Sequence, residues 1–325
     1  MNFQGKKWFV FLLLIVIASF VLTGCKSSKS KKQVIHFRIS DKIKQIPISK
    51  LLPPPGKRVG KNEKEVSSRA QENYLYGTLA GHYGRLRVSI QNIRKALDEE
   101  PLFIDAHHNL GLAYYKLGYI DDAIAEWQTT LRLDPRYSEV YYNLAIFLMD
   151  NERVDDGITL LKRCIDYNQY HLKARYALGK IYQEKGDYRE AIKHFRAFQV
   201  KNRGDLKVHK ALGEIYLLEG LFDASEREFE AIVRIDEKDS AAHYHLGVIN
   251  HRKGKLQIAI SHYKKAIELV PDYFDAYVNL GDIYASRKEY ASALAAYNAA
   301  QGINSKNSYV QKKIAQAEQK LLEKE

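Results

Sequence analysis

Cysteine is nearly absent: Cys25 and Cys164 are the only two in 325 residues. That excludes a disulfide framework and any zinc site built on clustered thiolates. Proline (7) and glycine (19) are too sparse for a low-complexity chain. Acidic residues are missing from residues 1–25 and scarce in 26–69, where thirteen Lys and Arg face only Asp41, Glu63 and Glu65. From residue 70 onward the 36 basic and 36 acidic residues cancel, so the formal charge of +12 belongs to the N-terminal stretch. A broad nucleic-acid-binding surface is disfavoured, and no nucleic-acid partner is expected. Catalytic signatures are missing as well: there is no His-Glu-x-x-His, phosphate-cradling glycine loop or nucleophile elbow. Eleven histidines invite a metal reading. Yet His107-His108 and His243-x-His245 are spaced so that their rings diverge on a helix. His107, His209 and His243 share one packing register and read as core substitutions, and Cys164 reads as a buried, inert thiol. No enzyme, cofactor or metal is expected; a His-dependent metal enzyme is the least favoured alternative.

What is present begins with an address. Lys6 and Lys7 precede a fifteen-residue run, Trp8 to Leu22, broken only by Ser19. As a helix it would span about 22 Å, short of the roughly 30 Å hydrocarbon core, which suits a signal peptide over residues 1–24. Leu22-Thr23-Gly24-Cys25 resembles the bacterial lipobox. The resemblance implies cleavage before Cys25 and palmitate-type acylation there, enough chains for stable membrane anchoring. Lys26, rather than Asp, follows the cysteine. That is similar to outer-membrane lipoproteins of enteric-type bacteria and favours the periplasmic face of the outer membrane in a diderm. An ordinary signal peptide with a chance cysteine is the other reading. Residues 25–69 read as a lipidated cysteine and a basic, largely disordered tether, too poor in apolar mass for a core. Pro53-Pro54-Pro55 stiffens it, and Val34 to Ile39 alternates like a strand or a solvated linker. Its net +10 suits anionic lipid or peptidoglycan, or serves solubility alone.

From residue 70 the chain repeats every 34 residues. Stepping through Gly77, Gly111, Ala145, Gly179, Gly213, Gly247 and Gly281 meets a small residue each time. Twelve residues on lie Ser89, Ala123, Gly157, Ala191, Ser225, Ala259 and Ala293, and four further on Ile93, Trp127, Leu161, Phe195, Phe229, Tyr263 and Tyr297. Seven units without a slip establish a repeat architecture. Each unit reads as two helices: His107, Leu110, Gly111 and Tyr114 form one helical stripe. Gly84, Gly118, Gly186, Gly220 and Gly254 suit the left-handed residue that ends the first helix. Asp121, Asp155 and Asp223 read as N-caps of the second, and Pro101, Pro135 and Pro271 follow its end.

These columns resemble the tetratricopeptide repeat over residues 70–307. The resemblance implies an all-α, right-handed superhelical solenoid of helix-turn-helix units. Residues 308–325 supply an amphipathic C-terminal capping helix through Val310, Ile314, Leu321 and Leu322. Departures fall at Asn250, at the oversized Phe198, and at Tyr76 and Ala80 of the first unit. By the same resemblance a concave face is lined by Tyr74, Tyr115, Tyr142, Met149, Tyr176 and Tyr244, with Lys173, Lys180, Lys207 and Lys210 between acidic flanks. Asp105 and Glu139 lie before the lysines, Asp275 and Asp282 after them. Tyrosine is a favoured hot-spot residue, and the lysines point to a partner protein presenting an acidic segment, or to a merely solvated face. Asn109, Asn143 and Asn279 recur where some family members hold a peptide backbone. The paired Lys and Asn that clamp a C-terminal carboxylate in chaperone-binding members are absent from any one unit. The whole is similar in plan to pilotin lipoproteins of type IV pilus machines and to lipoprotein adaptors of peptidoglycan enzymes. A lipid-anchored scaffold of the bacterial envelope is therefore expected, with a structural tether gripping the cell wall or anionic lipid as the alternative.

Overall fold

A computed structural model describes residues 47, 51–52 and 66–323. The signal peptide, Cys25 and most of the basic segment lie outside the described residues. Within that segment Leu51 is described, and its side chain is buried.

Among the described residues there are fifteen α-helices and no strand. They pair as α1 (Ser68–His82) with α2 (Leu86–Glu99), α3 (Ile104–Leu117) with α4 (Ile120–Leu133), and α5 (Ser138–Asp150) with α6 (Val154–Tyr167). Then come α7 (Leu172–Glu184) with α8 (Tyr188–Gln199), α9 (Leu206–Leu218) with α10 (Phe222–Ile235), α11 (Ser240–Arg252) with α12 (Leu256–Leu269), and α13 (Phe274–Ser286) with α14 (Tyr290–Ile303). A last helix, α15 (Ser308–Leu322), packs on α14. Each second helix also packs on the first helix of the next unit, so every unit is sandwiched by its neighbours. This is an all-α solenoid of helical hairpins.

What closes each hairpin is the small-against-large pair seen in the repeat. A Cβ added to Gly213 would stand 2.6 Å from Cε2 of Phe229, and one on Gly247 the same distance from the Tyr263 ring. The rings of Trp127, Phe195, Phe229, Tyr263 and Tyr297 are buried because a glycine across the crossing leaves them room. The turn inside each hairpin also recurs. The five glycines expected to be left-handed have φ between 71° and 83°, and in the third and seventh units the same slot is filled by Glu152 (φ 65°) and Lys288 (φ 62°). The hairpin geometry therefore demands this conformation even where the sequence offers no glycine.

Three expectations need correcting. Asp121, Asp155 and Asp223 are not N-caps: the caps are Tyr119, Arg153 and Leu221, and the aspartates lie in the first helical turn. There they favour the positive helix end, and Asp155 and Asp223 also reach Lys185 and Lys253 of the following unit at 2.6 Å. The capping helix buries Val310 and Ala317 and packs Ile314 against the last hairpin, while Leu322 faces outward. Asp282 pins that helix by accepting hydrogen bonds from Tyr309 and Lys313. At the opposite end Tyr76, whose counterparts such as Leu110 and Leu144 are buried, is 57% exposed among the described residues. Of the irregular positions, Asn250 sits in an unbroken helix, its amide donating to Leu246 carbonyl and Glu226. Phe198 coincides with a real irregularity, because α8 has twelve residues where the other second helices have fourteen.

Two substitutions test this account. Gly213→Ala must displace a fully packed ring, and after the gain in helix propensity a net loss of about 1–2 kcal/mol in chemical denaturation is expected. Lys288→Gly relieves a left-handed side-chain position, and a gain of about 0.5–1 kcal/mol is expected by the same measurement.

Candidate partner-binding groove

The first helices of successive units bring the same positions side by side. Counting each unit from residue 70, 104 and so on, position 5 is Tyr74, His108, Tyr142, Tyr176, Lys210, Tyr244 and Val278. Four of these rings lie against the residue just ahead of the next first helix. Tyr74 meets Phe103 at 4.7 Å between centroids, His108 meets Tyr137 at 5.1 Å, Tyr142 meets His171 at 5.2 Å, and Tyr244 stacks on Tyr273 at 5.0 Å. The asparagines add a second link from the following unit. Asn109 Nδ2 donates to Tyr74 hydroxyl at 2.9 Å and to Thr78 Oγ1 at 3.1 Å, Asn143 Nδ2 lies 2.9 Å from His108 Nε2, and Asn279 Nδ2 donates to Tyr244 hydroxyl at 3.3 Å. Their amide donors thus join neighbouring units. Phe103, Tyr137, His171 and Tyr273 escaped the sequence reading, although their column, 34 residues apart, was open to inspection.

The groove acids are largely engaged by the protein itself. Asp105 accepts from Tyr137 hydroxyl at 2.6 Å, and Glu139 lies 3.1 Å from His171 Nε2. Asp282 holds Tyr297 hydroxyl at 2.7 Å in addition to the capping helix. The lysines are freer. Lys173 and Lys207 are exposed, and, after the His171 hydrogen bond, the Lys173 charge helps hold the Glu139 carboxyl low. Lys173 Nζ sits 5.8 Å from the Tyr142 ring centre, Lys180 donates to Gln183 Oε1 at 3.2 Å, and Lys210 is a loose 3.9 Å from Glu214. The balanced sequence therefore folds into a groove whose middle carries available positive charge. Tyr115 donates to Asp150 at 2.7 Å and packs on Trp127 and Phe147, with burial and that carboxylate pushing its hydroxyl well above the usual range. Met149 lies against Gly157 of its own hairpin.

Position 4 is more than a packing site. His107 Nε2 meets Pro101 carbonyl at 2.9 Å, Tyr141 hydroxyl donates to Pro135 carbonyl at 2.8 Å, and Arg175 Nε donates to Gln169 carbonyl at 3.0 Å. His209 and His243 make the same bond to Arg203 and Glu237 at 2.7 and 3.2 Å. Each side chain straps down the turn that joins its unit to the one before. The other nitrogen of His107 and of His209 faces a carboxylate, Glu126 at 2.6 Å and Glu228 at 2.7 Å. With acceptors on both sides each ring donates twice, which only the imidazolium does. The Glu228 hydrogen bond holds the His209 pKa up; for His107 burial opposes, yet the Glu126 bond prevails. Conversely, burial pulls His108, His194 and His245 down to about 4, with the Arg175 charge adding at His194 and Lys210 at His245. Burial likewise pushes the Cys164 thiol up to about 12. No group of three His, Cys, Asp or Glu able to hold a metal occurs among the described residues.

Stacked hairpins that hold their neighbours by packed rings and present an inner row of side chains define a helical-repeat interaction scaffold. Family models described as tetratricopeptide repeat match residues 104–137, 176–240 and 274–307, and one described as TPR repeat matches 251–286. These segments of the chain are tetratricopeptide repeats. No curated protein matches it significantly. Among solved structures, the C-terminal part of a TPR repeat-containing protein from Cytophaga hutchinsonii is 16% identical with a TM-score of 0.58, over 74% of this chain and 99% of that one. YrrB, described as a TPR protein with an unusual peptide-binding site, is 19% identical with a TM-score of 0.51, over 57% and 95%. The Naa15/Naa10 structure bound to HypK-THB is 16% identical with a TM-score of 0.54, over 77% and 39%. At these identities the likeness is one of fold.

The two histidine populations set a pH profile. Groups held near 4 stabilise the fold above their unfolded pKa of about 6.5 and lose that contribution as pH falls towards 4, up to about 3 kcal/mol for the buried His108. His107 and His209, raised in the fold, contribute below about 6.5 and lose it as pH rises through their folded values. Thermal melts between pH 4 and 9 should therefore peak near neutrality, and a melting temperature that climbs steadily towards pH 4 would contradict these assignments.

Proposed function

We propose that this chain is a lipid-anchored adaptor of the bacterial envelope, which captures an acidic segment of a partner protein in its groove. The observation that carries the reading is the charge left over once internal bonds are counted. Asp105, Glu139 and Asp282 are held at short range, whereas the lysines are engaged only weakly: Lys210 is 3.9 Å from Glu214, Lys180 donates to a neutral amide, Lys173 lies over the Tyr142 ring, and Lys207 is exposed. Such a surface attracts carboxylates and offers large rigid rings against which a peptide buries area. The peptide-binding site named for YrrB, on a similar fold, is consistent with this use. In this reading the protein acts by holding another one. The lipobox-like Leu22-Thr23-Gly24-Cys25 supports an acyl anchor, and the cysteine-to-repeat segment supplies reach. A secretin, pilus or other envelope machine is the kind of assembly such an adaptor would serve. The net +10 of residues 26–69 favours a second reading, in which that segment grips peptidoglycan or anionic lipid and the repeats act as a spacer.

Affinity capture from gently solubilised membranes decides between them. The combined Lys173→Glu, Lys207→Glu and Lys210→Glu variant should lose the partner recovered with wild type by at least tenfold, about 1.4 kcal/mol. Full recovery would remove the lysines from the binding surface. Deleting residues 26–69 with Cys25 retained should leave partner capture intact; loss of cell-wall attachment without any partner would favour the spacer.

A further inference from the structure

The ladder of rings along the groove has a gap. Tyr74, His108, Tyr142 and Tyr244 each lie against a ring at the start of the next unit. Tyr176 does not. The residue ahead of α9 is Asp205, whose carboxylate caps that helix by accepting from Val208 N–H at 3.1 Å. The next asparagine-type link is missing too, because Ala211 stands where Asn109 and Asn279 donate to a tyrosine hydroxyl. Tyr176 is nonetheless held firmly from below, with Phe195 and Phe198 both 6.0 Å away between centroids. The oversized Phe198 and the early end of α8 thus accompany a ring that is buttressed on one side and lacks its ladder neighbour on the other.

Around this gap lysines outnumber acids: the Asp205 carboxylate is taken up by its helix cap, and Glu214 lies 3.9 Å from Lys210. Lys173 precedes Tyr176 on α7, and Lys207 and Lys210 follow on α9, all three exposed. A carboxylate-rich segment crossing here meets three exposed ammonium groups and a half-buried tyrosine that has no ring from the next unit beside it.

Resting on the groove reading above, the geometry points to a specific class of occupant: an acidic peptide segment carrying one aromatic side chain. That side chain lies beside Tyr176 where Asp205 supplies no ring, and the flanking carboxylates pair with Lys173, Lys207 and Lys210. Ring-on-ring contact adds to area burial and favours offset or edge arrangements, like those of the ladder itself. Because Tyr176 is braced by two phenylalanines, little freedom is lost when the guest ring docks.

The test uses the detergent-solubilised full chain and two fluorescein-labelled ten-residue peptides of aspartate, glutamate and serine. One has a central tyrosine and the other alanine. Fluorescence anisotropy should show the tyrosine peptide binding at least tenfold more tightly. Tyr176→Leu keeps the packing on Phe195 and Phe198 but removes the ring, and should shrink the preference below twofold; its helical circular dichroism checks the fold. Lys207→Glu should weaken both peptides by a common factor. Equal binding of the two peptides, or a preference that survives Tyr176→Leu, overturns the aromatic slot and leaves the acidic groove standing. Failure of both peptides to bind overturns the acidic groove itself and the slot with it.

Discussion

The close crossing inside each hairpin is the constraint on which the rest depends. A glycine or alanine on the first helix faces a large buried side chain on the second, and nothing larger than hydrogen fits at Gly213 or Gly247 without moving a ring. The same crossing sets the angle at which the hairpin leaves its turn. That angle recurs strictly enough for Glu152 and Lys288 to accept a left-handed backbone that glycine fills elsewhere. Because every hairpin has the same shape, the first helices fall into one layer, and a groove with a regular column of side chains follows.

Polar side chains then join the hairpins in two separate rows. One row, through His107, Tyr141, Arg175, His209 and His243, ties the second to sixth units to the turn before each. The other runs along the groove, with rings on rings and asparagines reaching back to the preceding unit. Buried donors and acceptors are costly when unmatched, so these rows hold the register of the stack as well as adding stability. The groove is consequently a rigid surface in which most polar groups are spent internally. Among the described groove residues, the exposed Lys173, Lys207 and Lys210 stand out beside the half-buried Tyr176. Recognition is expected where the internal network lapses, since groove groups not spent on neighbouring units can meet another chain.

Much of this was legible in the residue order. The 34-residue step, the small and large columns, the left-handed glycines and the all-helical hairpins follow from local periodicity, which chain neighbours enforce. Misreadings arose where a residue type serves two neighbouring positions. Asp121, Asp155 and Asp223 are good caps and equally good first-turn residues, and one residue of register separates the roles. The outward Leu322 shows the same limit at a chain end, where periodicity outlasts the surface it could cover.

The sequence by itself determined the hairpin, its period and the columns that face inward, because these depend on contacts within some thirty residues. Only the tertiary structure decided which charges are spent and which are free. Asp105 answering Tyr137, Glu139 answering His171 and Asp282 answering Lys313 are pairings between elements about thirty residues apart. Whether such groups meet is a question of ångströms set by the stacking of units. A balanced list of charges cannot reveal it, since electrostatic availability depends on distance and burial rather than on count.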